Sequence, residues 1–232
     1  MPVTLASRKV PRLLAIVAAS IIGAYVITLV FAYGLGHDHI LGLVALFDVD
    51  GGHNIPWFFS DCLLLIATLL LGVIAAFRRG QAHAARWAGL SAIFFFLALD
   101  KAVGLHGQLG TVVAGITGSP DWVYYGWMLP YGVVGLALLL AYIPFLRDLP
   151  RATRTHIITA GACYAIGAIG TVGAEVVTGA FLNNVCTQQT LSYDLIGAVN
   201  KSLQFGGAVW FIYGLLKYAE TELGGALVRV GK

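Results

Sequence analysis

The chain has 232 residues, of which 59% are hydrophobic and only 11% charged, against roughly 25% charged in an ordinary soluble protein. With a mean hydropathy of +0.84, it carries too few Lys, Arg, Asp and Glu to cover a water-exposed surface of its size, which excludes a soluble globular fold. The net charge of +3 comes without any run of Lys or Arg, so nucleic acid is not an expected partner; the lipid bilayer is.

A membrane-spanning helix needs roughly 20 mostly apolar residues. Six such runs, bounded by charge, Gly or Pro, follow one another along the chain: Leu13 to Leu35, Pro56 to Phe77, Ala85 to Leu105, Trp122 to Leu146, Ile157 to Leu182 and Leu191 to Leu216. Their apolar residues occupy all sides, as in helices surrounded by lipid and by each other. The expected fold is all-α, a polytopic bundle of six transmembrane helices forming a single domain over residues 1–232. The first run follows Arg8, Lys9 and Arg12 as a secretory signal would. Its apolar stretch is longer than a signal core, so it reads as a retained span.

Between the runs, Ile40 to Phe47 and Thr111 to Ile116 are apolar but too short to cross. They are expected to lie along the interface or dip back in, where they could roof a site. Gly118, Ser119 and Pro120 break the chain before the fourth span. The cysteines, Cys62, Cys163 and Cys186, are too scattered for a disulfide framework or a CxxC metal site and leave room for at most one bridge.

Orientation follows from Lys and Arg. Arg8, Lys9 and Arg12 precede the first span, Arg78, Arg79 and Arg86 flank the second loop, Arg147, Arg151 and Arg154 the fourth, and Lys217, Arg229 and Lys232 the tail. The first, third and fifth loops have neither Lys nor Arg but hold Asp38, Asp48, Asp50 and Asp121. By the positive-inside rule both termini are expected to be cytoplasmic, with Trp57, Trp122, Tyr124, Tyr125 and Trp127 at the outer interface.

Two basic residues remain inside apolar runs, Lys101 and Lys201, together with Asp61, Asp100 and Glu175. An ionised side chain at the bilayer centre costs about 2.5–3.5 kcal/mol even on lenient scales, so these residues need partners. By helical rise they lie roughly 6 to 15 Å below the outer surface, Lys201 deepest. One compensated network on four helices is expected, rather than isolated charges. Asp61, Asp100, Glu175 and Lys201 are therefore the candidate catalytic or binding residues. A cluster that only fixes helix register is the competing reading. Around Lys201, Gly197 and Phe205 share its face and Asn200, Gln204 and Ala208 form a neighbouring stripe, while Gly170, Ala174 and Thr178 would let another backbone approach beside Glu175.

His37, His39, His53 and His106 all map to the outer side. With Asp100, the pair His106 and His53 forms a candidate set for a divalent metal such as zinc, since imidazole and carboxylate suit such ions. Solvated loop histidines are the plainer reading. The DVDGGHN stretch contains DxDG but lacks the length and closing Glu of an EF-hand loop. His83 and His156 fall on the cytoplasmic side among Arg residues.

FDVDGGHNIPWFFS, LALDKAVGLHG and the later GAE of the fifth span resemble an uncharacterised family of bacterial multi-pass membrane proteins. That family carries an acidic outer loop ending in NIP plus an aromatic and Ser pair, then LDE and HE motifs. Asn54, Pro56, Ser60, Asp100, His106 and Glu175 match the pattern, whereas Gly52, Lys101 and Gly107 stand where acids are expected. The resemblance implies a bacterial inner-membrane protein and supplies no activity. Ser60, Asp61, Asp100 and His106 also bear a weaker likeness to alkaline-ceramidase-like hydrolases, without the paired His of their last span. NKSLQFGG around Lys201 is similar to the retinal-linking position of microbial rhodopsins, but those have seven spans.

The leading functional expectation is an outer-half intramembrane polar site that binds a small molecule or lipid head group, with metal-assisted hydrolysis as one chemistry open to it. The alternatives are an accessory or assembly subunit of a larger membrane complex, with other membrane subunits as partners, and a proton-coupled transporter in which Lys201 and Glu175 exchange protons.

Overall fold

The computed structural model describes residues 7–37, 42–118, 126–177 and 190–223, with the side chains of 171–177 excepted. All regular structure among the described residues is helical. In chain order the helices are α1 (Lys9–Leu29), continued by a π-helical turn (Val30–Gly34), α2 (Leu43–Phe47), α3 (Ile55–Phe77), α4 (Ala84–Val103), α5 (Leu105–Thr117), α6 (Met128–Asp148), α7 (Arg151–Val177) and α8 (Leu191–Glu222).

Each of the six apolar runs read from the sequence contains a long helix. Lys9–Gly34, Ile55–Phe77 and Met128–Asp148 are long and apolar enough to cross a membrane, and α4 with α5 makes a fourth crossing if that pair, bent by 73°, is one broken span. The chain is thus a helical protein with three to four candidate spans. The short apolar stretch 111–116 is not a separate surface segment but belongs to α5. Of the other short stretch, Leu43–Phe47 forms α2, while Ile40 lies outside the described residues, as do Asp38, His39, Asp121, Trp122, Tyr124, Tyr125 and Cys186. Cys62 and Cys163 are free thiols.

The chain separates into two compact units, residues 1–67 with 155–232 and residues 68–154. In the first, α1 and α8 run antiparallel. At one end Ser7 Oγ donates to Glu220 Oε2 at 2.9 Å; at the other, Tyr33 Oη donates to Asp194 Oδ2 at 2.7 Å. Lys217 Nζ also donates to Glu220, at 3.0 Å. Lys217 first, and then Ser7, hold the Glu220 carboxyl below the usual carboxylate range.

Helix α8 is the most enclosed helix of this unit, with Phe205, Ile212 and Leu215 among its fully buried side chains. It also carries four glycines and the amides Asn200 and Gln204. Residues that would be poor lipid-facing material suit a helix surrounded by other helices, because small side chains let backbones come close and amides find partners across the gap. At Gly207 an added Cβ would lie 2.8 Å from both the Ala160 carbonyl oxygen and the Tyr164 backbone nitrogen of α7. Gln204 Nε2 donates to the Gly167 carbonyl at 3.1 Å, and Gly167 and Gly170 both face Asn200 too closely to admit a Cβ. Phe59 of α3 meets Phe205 edge-on with ring centroids 5.1 Å apart.

In the second unit α4 pairs with α6 near the basic helix ends. Trp87, 1% exposed, packs edge-on to Phe145 at 5.0 Å, and Arg86 donates to the Ala141 carbonyl at 3.1 Å. Ser91 Oγ donates to the Thr68 carbonyl of α3 at 2.9 Å. Most of α6 stays outside the packing, with Leu129, Val133, Val134, Leu136, Leu139 and Leu140 all exposed. Such an apolar exterior is what hydrocarbon contact requires.

Because the α7–α8 contact at Gly207 is backbone against backbone, no side chain can move aside to make room. Gly207→Val is expected to destabilise the protein by about 1–3 kcal/mol through overpacking, read as a lower midpoint in thermal unfolding of the detergent-purified chain. Gly206→Val, at a position with nothing within 4 Å of the added Cβ, serves as the control and should change little.

Candidate functional site

The acidic loop between α2 and α3 is built by its own side chains. Asn54 caps α3: its Oδ1 accepts from the Trp57 amide at 3.1 Å, and Pro56 occupies the first turn, where its missing N–H costs nothing. The Asn54 Nδ2 donates back to the Asp48 carbonyl at 2.6 Å and the Ala45 carbonyl at 3.2 Å, closing the loop on itself. Asp48 Oδ1 accepts from the Asp50 amide at 3.0 Å, a turn that Asp favours because its short carboxylate mimics a backbone acceptor.

Between the two acids Val49 is buried, in a small core with Tyr25, Leu29 and Ala198. This apolar plug fixes the loop against α1 and α8 and leaves Asp48 and Asp50 beside the plug. The Asp50 carboxylate reaches α8 at Gly197, where an added Cβ would lie 2.6 Å from Oδ2. One helical turn further on is Lys201, whose ammonium feels the charge of Asp50 most and then that of Asp48. Gly197 thus makes the space in which the loop acid approaches the helix that carries the lysine.

A third acid joins from α8 itself. Asp194, 6% exposed, lies in the first turn after the Thr190 cap, whose Oγ1 accepts from the Tyr193 amide at 3.3 Å. Helix N-termini favour negative charge. Asp194 accepts the Tyr33 hydroxyl, and its backbone carbonyl accepts the Tyr25 hydroxyl at 3.4 Å. Asp48 acts electrostatically on Asp194 as well. The first unit therefore gathers three carboxylates, one ammonium and two phenols at the N-terminal end of α8.

The other sequence-derived candidates are distributed as follows. Asp61, half-buried on α3, acts electrostatically on Tyr164 of α7 and on the adjacent Cys62. Glu175 lies on α7, and its side chain falls outside the described residues. Asp100, Lys101 and His106 belong to the second unit, whereas Asp61, Glu175, Lys201 and His53 belong to the first.

Asp100 and His106 do meet. Gly104, with φ +74°, ends α4 and starts α5. The Asp100 carboxylate, 5% exposed, bridges the break by accepting the His106 backbone amide at 2.7 Å. Its other neighbour is His106 Nδ1 at 3.3 Å. The His106 ring packs edge-on to Trp127 at 5.5 Å, and Trp127 to Tyr131 at 5.7 Å. The Tyr131 hydroxyl is buried and lies close enough to Asp100 to feel its charge. This carboxylate satisfies an otherwise orphaned amide at the start of α5, which is a capping role.

No three His, Cys, Asp or Glu side chains among the described residues converge as donors to one ion. His53 holds a left-handed turn at φ 56° and lies 6.0 Å from the Trp57 ring.

A family model described as "Domain of unknown function (DUF8692)" matches residues 13–217. The chain belongs to that family. No curated protein matches it, and no solved structure does. The matched region contains the acidic loop, Asp194, Lys201, Asp100 and His106 alike.

Sequence reasoning picked Lys201 and Asp100 but passed over Asp194, Tyr25 and Tyr33. Asp194 lies so near the start of its apolar run that it reads as a boundary residue. Tyr25 and Tyr33 look like ordinary apolar-face aromatics until the antiparallel partner helix is known.

Two measurements check these roles. Asp100→Ala should destabilise by about 1–2 kcal/mol, the usual cost of losing a cap, while Asp100→Asn, which keeps an acceptor oxygen, should cost less; both are read by thermal unfolding. Lys201→Met should cost about 1–3 kcal/mol, the range for stranding polar groups, because Asp50 is exposed enough to hydrate. Combined with Asp50→Asn, the loss should be smaller than the sum of the two single losses, which a double-mutant cycle measures.

Proposed function

We propose that this DUF8692 protein is a six-span bacterial inner-membrane protein, both termini cytoplasmic, whose outer-half polar site binds a small molecule or lipid head group bearing a positively charged amine. The observation that carries the reading is the charge balance of the cluster at α8. Among the described residues Asp48, Asp50 and Asp194 bring three carboxyl groups to the one amine of Lys201, and a cationic group is the complement that a carboxyl-rich cluster favours.

Several features support it. Helices α7 and α8, with 27 and 32 residues, extend about 40 and 48 Å at helical rise, enough to cross a bilayer. Basic residues lie at alternate helix ends, Arg8 to Arg12, Arg78 to Arg86, Arg147 to Arg154 and Lys217, in keeping with cytoplasmic termini. An apolar cleft of about 150 Å³ lies between α1 and α2, lined by Ile27, Phe31, Val44 and Phe47 among others. Its lining includes Phe47, the residue before Asp48.

A second reading, an accessory subunit of a membrane complex, is favoured by the bare apolar side of α6. Reproducible copurification of another membrane subunit, lost on placing charges along α6, would support it instead.

The test is ligand-dependent stabilisation. Ethanolamine and choline should raise the unfolding midpoint of the purified chain, with glycerol as the uncharged comparison. Asp50→Asn with Asp194→Asn should abolish the amine effect. Equal stabilisation of wild type and double variant by the amines would sink the proposal.

A further inference from the structure

At the opposite end of the α1–α8 pair lies a groove of about 360 Å³, formed by Arg8, Pro11, Arg12 and Ala15 on one side and Val209, Trp210 and Tyr213 on the other. Its chemistry is two-part. Arg8 and Arg12 are one helical turn apart and therefore project on the same side of α1, while Ala15 and Val209 continue the groove as an apolar wall. The aromatic side is held in place from behind: His156 of α7 packs against Trp210 and Tyr213, each at 5.3 Å, and these two rings lie 5.2 Å from each other. Gly214 permits that approach, since a Cβ there would come within 2.8 Å of the His156 Cβ.

We infer that this groove is a binding site for one anionic phospholipid, with its phosphate on Arg8 and Arg12 and an acyl chain along Ala15 and Val209 against Trp210. Charge complementarity selects the occupant. Glu220 feels Arg8 but is bonded to Lys217 and Ser7, and among the described residues neither Arg8 nor Arg12 forms an ion pair. Guanidinium forks bind phosphate oxygens in pairs, which ammonium groups do not. Tyr and Trp rings settle at the head-group level of a bilayer, the depth at which a lipid phosphate lies. An acidic protein segment would satisfy the arginines but would leave the apolar length of the groove unfilled. The site is separate from the acidic cluster and does not depend on what binds there.

The test uses the full chain in nanodiscs of phosphatidylcholine doped with phosphatidylglycerol, with bound lipid counted by native mass spectrometry and stability read from thermal midpoints. Wild type should retain one phosphatidylglycerol preferentially. Arg8→Gln with Arg12→Gln should weaken that retention about 10- to 30-fold, from about 1 kcal/mol per basic residue at an anionic surface. Lys9→Gln removes the same charge as either arginine but does not line the groove, and should weaken the preferential retention less than Arg12→Gln does. Trp210→Ala should reduce retention without any change of charge, which keeps the test open if the double arginine variant does not fold. Equal losses for Arg12→Gln and Lys9→Gln would mean diffuse surface attraction and overturn the proposal. So would full stabilisation by inorganic phosphate or glycerol phosphate alone, or retention of an acidic protein in place of lipid.

Discussion

Everything in the first unit depends on letting a polar helix sit among apolar ones. Helix α8 carries Asp194, Asn200, Lys201 and Gln204 within three turns, and a helix with that load cannot face hydrocarbon on all sides. Its neighbours accommodate it by two means. Glycines on α7 and α8 bring backbones close enough for amide side chains to reach across, as Gln204 does to Gly167. On the other side, Tyr33 and the acidic loop supply hydroxyl and carboxylate partners near Asp194 and Lys201. Substitutions that enlarge the glycines and substitutions that remove the polar partners attack the same arrangement from opposite faces.

The two units handle their ionisable side chains differently. In the second, Asp100 is spent on backbone geometry: it satisfies an amide exposed by the sharp turn at Gly104, and aromatic rings cover it. In the first, the carboxylates of Asp48 and Asp50 lie within electrostatic reach of Lys201, and Asp50 stays exposed. A carboxylate with 5% of its surface exposed, as Asp100 has, is shielded from a ligand, whereas exposed Asp50 can exchange partners. This contrast is why the functional reading rests on the first unit.

Much of the architecture was legible in the sequence, because apolar runs of spanning length have a physical cause that needs no tertiary information. Each of the six runs holds a long helix, and of the residues flagged around Lys201 the amides Asn200 and Gln204 pack against α7. The site was less legible. Lys201 could be singled out as a charge in an apolar run, but its companions were sought at similar depth on other spans. Asp48 and Asp50 come instead from a loop, folded back by the bonds of Asn54 and plugged by Val49, and no periodicity announces such a return. The bend at Gly104 was hidden for a related reason: α4 and α5 are both apolar, and one glycine with positive φ leaves no mark on hydropathy. The pairing of Asp100 with His106 follows from that bend, so their proximity could be suspected from spacing while their capping role could not.

The π-helical turn at Val30–Gly34 sets a phase as well as a contact. An α-helix rotates by about 100° per residue, and a wider turn alters that count, so the residues before it and after it are keyed to different angular settings around one axis. Tyr25 and Leu29 precede the turn and face the Val49 core; Tyr33 lies within it and still reaches Asp194. Losing or gaining one residue there would act less like a change in loop length than like turning a key by a notch, swinging Tyr33 off its acid while the rest of α1 kept its seat.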